Sequence, residues 1–249
     1  MTGAGLHRLS AVAGAVLVAQ AVILAVILAV TPARVLLPVT LGLPGTRGPI
    51  VLSTVDVGAG VIALCLLVAF SRLIVLLPAL SARYSTGVDD NRHSARWIEF
   101  AFSSSITVFL VAGLNGIRDV GALVLCYAIT SGATLFFVVQ ERSPATARMP
   151  PLWFAAAIGI VPWGVIAFHQ VAGLVIGDPP SALTRVITLT MLTFAFAFFL
   201  SHWREQRRRD SAVSERAGER THILISVAST SVFAWMVVLG VVGVGHVRL

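Results

Sequence analysis

Lysine is missing from all 249 residues, so each of the eighteen basic side chains is an arginine. With the amine of Met1 set aside, the chain therefore has no group able to form an imine, because a guanidinium stays protonated. Charge of either sign is also scarce. Only 12% of residues are charged, about half the roughly 25% of soluble domains. Cysteine occurs twice, and Cys65 and Cys126 both lie inside apolar runs, which predicts buried thiols and no disulfide. No Cys, His, Asp or Glu spacing matches a metal-ligand pattern, and no hydrolase or nucleotide-binding motif is present.

What remains is apolar. Hydrophobic residues make up 57% of the chain, and the mean hydropathy is +0.92. A soluble fold of this size cannot hide so much apolar surface, whereas a bilayer accepts it. The net charge of +7 would suggest a nucleic-acid partner in a soluble protein. Here the arginines cluster at the ends of apolar runs, where lipid headgroups lie, and nucleic acid is excluded as a partner.

A membrane-crossing helix needs about 20 mostly apolar residues. Seven stretches qualify: Leu9–Val30, Thr54–Leu77, Trp97–Leu114, Val120–Gln140, Leu152–Ile176, Leu183–Trp203 and Ile223–Val244. The first is longer than the roughly 7–15 apolar residues of a signal peptide and is expected to be a retained helix. The second opens at Ser53-Thr54-Val55-Asp56, which has capping-box spacing, and closes at Pro78. Pro162 is expected to kink the fifth. Between the first two spans, the β-prone stretches Val35–Leu37 and Ile50–Leu52 flank a Pro-Gly turn, which predicts a small hairpin. Arg204–Arg220, dense in both signs of charge, reads as an aqueous loop. The expectation is a single seven-helix transmembrane domain over residues 1–249, multi-pass in the cell membrane.

Orientation follows from the arginines. Arg8, Arg83, Arg92, Arg142, Arg148, Arg204, Arg207, Arg208, Arg209, Arg216 and Arg220 share the side of the N-terminus, against Arg34, Arg47, Arg118, Arg185 and Arg248 opposite. The positive-inside rule predicts a cytoplasmic N-terminus, an extracellular C-terminus and an extracellular hairpin.

Glu99 is the one acidic residue expected inside a span, and an intramembrane carboxylate points to function. Arg96, Glu99 and Ser103 fall on one helix face. Ser226 and Thr230 share a face of the seventh span, roughly 9 and 15 Å in by helical rise, close to the roughly 10 Å of Glu99. Two arrangements are open. In one, Glu99 meets the Ser226/Thr230 pair. In the other, Glu99 pairs locally with Arg96 while the hydroxyls bond their own helix carbonyls. Trp163, beside Pro162, is placed to wall a pocket, and His169 reads as a packed histidine. Catalysis would need a second titratable group beside Glu99, and the sequence suggests none; no enzyme is predicted.

These residues carry a resemblance. Arg96-Trp97-Ile98-Glu99-Phe100 with Ser103-Ser104-Ser105, Gly159-Ile160-Val161-Pro162-Trp163, and Gly218-Glu219-Arg220 followed by Ser226 and Ala234-Trp235 are similar in type and order to the heliorhodopsins. The cytoplasmic N-terminus also looks like that family. The resemblance implies a rhodopsin-like bundle, a pocket for retinal, and Glu99 as counterion of a protonated retinal Schiff base with Ser226 beside it. It further implies a non-pumping sensory or regulatory role and homodimers. Its register puts Thr230 where the family carries the retinal-binding lysine. The resulting expectation is a protein with no covalent retinal, with Glu99, Ser226, Thr230, Ser103 and Trp163 as the remains of the pocket. Two alternatives stand beside it: a module binding retinal, carotenoid or lipid non-covalently, and a small transporter or channel. The partners expected are the lipid bilayer, a second copy, and a cytoplasmic protein at Arg204–Arg220. No metal and no catalytic residue is expected.

Overall fold

A computed structural model of the protein describes residues 3–45, 47–144, 149–207 and 212–243. Its elements run α1 (Gly3–Val30), β1 (Leu36–Leu41), β2 (Ile50–Asp56), α2 (Val57–Ile74), α3 (Pro78–Asp89), α4 (Ser94–Leu114), α5 (Val120–Arg142), α6 (Met149–Gly159), α7 (Val161–Ile176), α8 (Ala182–Arg207) and α9 (Ala212–Gly243). With α6 and α7 taken as one broken span, seven helical stretches among the described residues are long and apolar enough to cross a bilayer. The chain is a multi-pass membrane protein with a rhodopsin-like seven-helix bundle.

The membrane-spanning helices are apolar on most faces, and packing selects a buried stripe from each. In α1, Leu6, Ser10, Ala13, Leu17, Ala21, Leu24 and Leu28 are buried, a three-four spacing that follows one helix face. Val12, Val22 and Val26 on the other faces stay exposed, as lipid-facing side chains do. On α9 the buried stripe changes character. It starts polar, with Glu215, Glu219, His222, Ser226 and Thr230, and finishes with Phe233, Val237 and Val241. The apolar half packs with Leu17, Leu24, Val61, Leu64, Val108 and Val111 in the main core.

The hairpin forms an antiparallel pair from Leu36↔Asp56 to Leu41↔Ile50, with a bulge at Leu52 where the register shifts after Val39. Gly45 takes a positive φ of 86° in its turn, a conformation open to glycine at little cost. The Thr40 amide donates to the Arg118 carbonyl at 2.8 Å, which ties the hairpin to the α4–α5 connection. The hairpin therefore sits at the end of the bundle opposite the start of α1.

Several boundaries differ from the sequence reading. Thr54 and Val55 complete β2, so α2 starts at Val57, and Asp56 is itself the N-cap, accepting from the Ala59 amide at 3.2 Å. The fifth span is broken at Ile160, ahead of Pro162, which has no N–H to continue the ladder. The described parts of the Arg204–Arg220 stretch are helical and not loop: α8 runs through Arg207 and α9 begins at Ala212, while residues 208–211 lie outside the described residues. Glu205, Glu215 and Glu219 turn inward and Arg204, Arg207 and Arg220 turn outward, the pattern of two-faced helices. Arg148, Arg208, Arg209 and Arg248, used above for orientation, lie outside the described residues.

Helix α3 was not expected. Its low apolar content hides it from a span search, although Pro78 at its first turn is a start signal. It docks on α9 through polar contacts: Tyr84 Oη donates to Glu219 Oε1 at 2.9 Å, and Arg216 pairs with Asp89 at 2.6 Å. Burial pushes the Tyr84 phenol above its ordinary pKa, and the Glu219 carboxylate adds to this. The hydrogen bond from Arg216 holds Asp89 below its ordinary value of 3.8. A lowered folded-state pKa contributes stability above the unfolded value and loses it as pH falls through the folded one. Amide exchange in α3 is thus expected to be unchanged from pH 7 to 5, after correction for the intrinsic rate, and to speed up selectively below 3.8. Uniform exchange across that range would show that this pair does not hold α3.

Candidate functional site

Helices α2, α4 and α9 bring a buried charge centre together inside the bundle. Arg72 Nη2 lies 2.6 Å from Glu99 Oε2, and both side chains are almost fully buried. Ser226 Oγ donates to Glu99 Oε1 at 2.9 Å, and His222 Nε2 lies 3.3 Å from Oε2. Of the first arrangement the sequence left open, the Glu99–Ser226 half is observed, while Thr230 makes no bond to Glu99 and lines the cavity beyond it. The local Arg96 pairing is not observed. Arg96 reaches across to Glu205 with both terminal nitrogens at 2.9–3.3 Å, and its Nε lies 3.5 Å from Glu219 Oε2.

Arg72, near the end of α2, is 4% exposed inside the bundle, a partner for Glu99 that the sequence did not reveal. Glu99 is also not alone. Glu141, Glu205, Glu215 and Glu219 are all held in buried or nearly buried positions. The expectation of a single interior carboxylate without a titratable neighbour is therefore corrected, with His222 directly beside Glu99. These groups escaped the sequence reading because they sit in end turns. The signal that could have found them is spacing: Glu215, Glu219, His222 and Ser226 recur at i, i+4, i+7 and i+11.

Beyond this centre lies a cavity of about 480 Å³ between α4, α5, α6, α7, α8 and α9. Ser103, Trp163, Ser226 and Thr230 all line it, and Glu99 touches it only through Ser226. Phe100, Phe137, Trp153, Phe194 and Phe198 give the wall its aromatic part. The volume falls in the roughly 300–1,000 Å³ range of small-molecule pockets, and an apolar wall with a few hydroxyls suits an elongated hydrocarbon ligand. His169 stays apart from the site, with Nδ1 2.9 Å from its own helix carbonyl at Val165. Cys65 and Cys126 are free and buried.

Two hydrogen-bonded polar sets stand apart, with cavity-lining hydroxyls such as Thr107, Thr130 and Thr134 between them. One is the charge centre just described. The other, near the hairpin end, joins Gln170, Asn115 and Thr188 through bonds of 2.8 Å. Glu99 and Asn115 stand sixteen residues apart on α4, roughly 24 Å by helical rise, and the aromatic cavity lies between the two sets.

A lysine-bound retinal is the group such a site would hold in a rhodopsin. The residues present do not fit its covalent attachment. Thr230 offers only a hydroxyl, no lysine exists elsewhere, and the cation facing Glu99 is Arg72. The apolar cavity does fit a polyene held without a bond.

No curated protein matches the chain. The family model described as Heliorhodopsin matches residues 6–242, nearly the whole length. With the seven-span bundle, the hairpin and the Glu99–Ser226 contact in place, the chain belongs to the heliorhodopsin family.

Proposed function

We propose that this protein is a non-pumping, sensory or regulatory heliorhodopsin-type receptor. Its cavity binds an elongated apolar molecule, a retinoid or a similar polyene, without a covalent bond. The observation that carries the reading is the pairing of Arg72 with Glu99 beside a cavity walled by Thr230. A buried carboxylate needs a cation, and here an arginine supplies the charge that a protonated imine would otherwise bring. The residues lining the cavity between the two polar sets carry hydroxyls but no charged side chain, which argues against an ion path.

The N-terminus is cytoplasmic in this reading, by the arginine bias. The outward-turned Arg204, Arg207 and Arg220 then form a basic cytoplasmic surface. That surface suits an acidic protein partner, and a homodimer completes the assembly.

The test uses purified protein incubated with all-trans-retinal and then with borohydride. Reversible uptake that quenches tryptophan fluorescence is expected, with no reduced adduct on the protein by mass spectrometry. A visible pigment that borohydride traps at a residue in the cavity would overturn the reading. A failure of retinal and of carotenoids to bind at all would remove the ligand class.

A further inference from the structure

A groove of about 1790 Å³ runs along the outer face of α4, between α2 and α5, with α3 and the α3–α4 turn at its rim. Phe70 and Ile74 line it from α2, Ile98 and Phe102 from α4, and Leu135 and Val138 from α5. Phe70, Ile98, Phe102 and Leu135 are exposed. From Ser94 to Phe102, both of which line the groove, α4 rises roughly 12 Å. The hydrocarbon of one leaflet is about 15 Å thick, so the apolar part has the depth of an acyl chain.

The rim has a different chemistry. Arg83 on α3, Arg92 in the turn and Arg142 at the end of α5 all line the groove, and all are exposed. Elsewhere arginines are neutralised: Arg72 by Glu99, Arg96 by Glu205 and Arg216 by Asp89. None of the three rim arginines has an ion pair among the described residues. Two acids also line the groove. Asp90 is exposed, whereas Glu141 is held by the His93 ring and amide at 2.8 and 3.2 Å. One exposed carboxylate does not balance three guanidinium groups.

The turn that carries Arg92 is built rather than loose. Helix α3 closes with Asn91 in the left-handed region at φ 57°. The Asn91 amide donates to the Val88 carbonyl at 3.2 Å, and the Arg92 amide to the Gly87 carbonyl at 2.7 Å. This pair of bonds is a Schellman closure, which satisfies the last carbonyls of a helix and fixes the exit of the chain. The approach is close: a Cβ at Gly87 would lie 2.9 Å from the Arg92 carbonyl oxygen.

We propose that this groove holds one anionic phospholipid, with an acyl chain along α4 and the phosphate at Arg83, Arg92 and Arg142. The planar guanidinium fork matches phosphate oxygens, and basic pockets beside membrane helices recognise such headgroups. Bound lipid fills the gap between α2 and α5 and joins α3 to both. The site is separate from the polyene cavity, and neither reading depends on the other.

The experiment takes the full chain in detergent and counts bound lipid by native mass spectrometry, with phosphatidylglycerol or phosphatidylcholine supplied. One phosphatidylglycerol per chain should persist under conditions that strip phosphatidylcholine. Arg83→Gln, Arg92→Gln and Arg142→Gln should each weaken retention about fivefold. Arg8→Gln, an exposed arginine near the start of α1, should leave it unchanged. A phosphatidylglycerol with a photoactivatable acyl chain maps the site in the wild type, with no substitution to disturb the fold. Its adducts should concentrate on Ile98, Phe102 and Leu135. Adducts spread evenly over Val12, Val22 and Phe168, which are also exposed, would mean ordinary lipid contact and overturn the site. So would equal retention of the two lipids, or retention that survives loss of all three arginines. If Ile98→Cys instead links two chains by a disulfide under mild oxidation and the groove takes up no probe, a second copy covers it and the proposal fails.

Discussion

Thr230→Lys, supplied with all-trans-retinal, is expected to turn a colourless protein into one carrying a borohydride-trappable adduct. The new amine would project from the wall of a cavity of about 480 Å³, one helical turn beyond Ser226, whose hydroxyl already touches Glu99. The distinctive part of the prediction concerns Arg72. A protonated imine at this position has to share Glu99 with a guanidinium 2.6 Å from the same carboxylate. An opposite charge within about 4–6 Å typically shifts a pKa by 1–3 units, and Arg72 has already taken up much of that influence. The pigment of the single variant should therefore lose its visible band at comparatively low pH. Adding Arg72→Gln frees Glu99, and the midpoint should move up by at least one pH unit. Identical midpoints in the single and double variants would show that Arg72 does not compete for the carboxylate. A folded, colourless Thr230→Lys protein would show that the cavity no longer admits retinal.

Much of the bundle could be read from the sequence because membrane spans are written in a crude code. Length and hydropathy alone locate seven crossings, and alternating arginine density gives them a consistent order. The hairpin was visible through its β-branched flanks and Pro-Gly turn. The errors fell where that code has nothing to say. Helix α3 is too polar to register as a span, yet Tyr84 and Asp89 bind it firmly to α9. The stretch from Arg204 to Arg220 looked aqueous because composition averages over a helix, while the fold separates its faces and buries Glu205, Glu215 and Glu219.

The site was legible to a similar degree and for a similar reason. Same-face spacing within one helix is a local property, so the depths of Glu99 and of Ser226 could be matched from helical rise alone. Partnership between helices is not local. Nothing within α4 says that Arg96 will turn away from Glu99, three residues on, and cross to Glu205, 109 positions along the chain. Nor does a lone arginine near the end of α2 announce that it will supply the missing cation. The absent lysine was the most informative feature of the composition, but what replaces its charge could be learned only from the packing.

Arg96→Ala should be the most destabilising single change in the molecule. Arg96 is 1% exposed and makes four contacts of 2.9–3.3 Å with Glu205, while its Nε faces Glu219. Removing it leaves those two carboxylates, with Glu141 and Glu215 nearby, buried without their guanidinium. Breaking a buried pair in this way costs about 3–5 kcal/mol, against a total stability of roughly 5–15 kcal/mol for most proteins. For a chain of this size each kcal/mol moves the melting temperature by about 2–4 °C, so a drop of about 10 °C or more is expected in detergent. The loss should be rescued in part by Glu205→Gln in the same chain, because removing both charges avoids the stranded anion. A double variant no better than Arg96→Ala would mean that the guanidinium acts by filling space over Trp97, whose ring centroid lies 4.8 Å away.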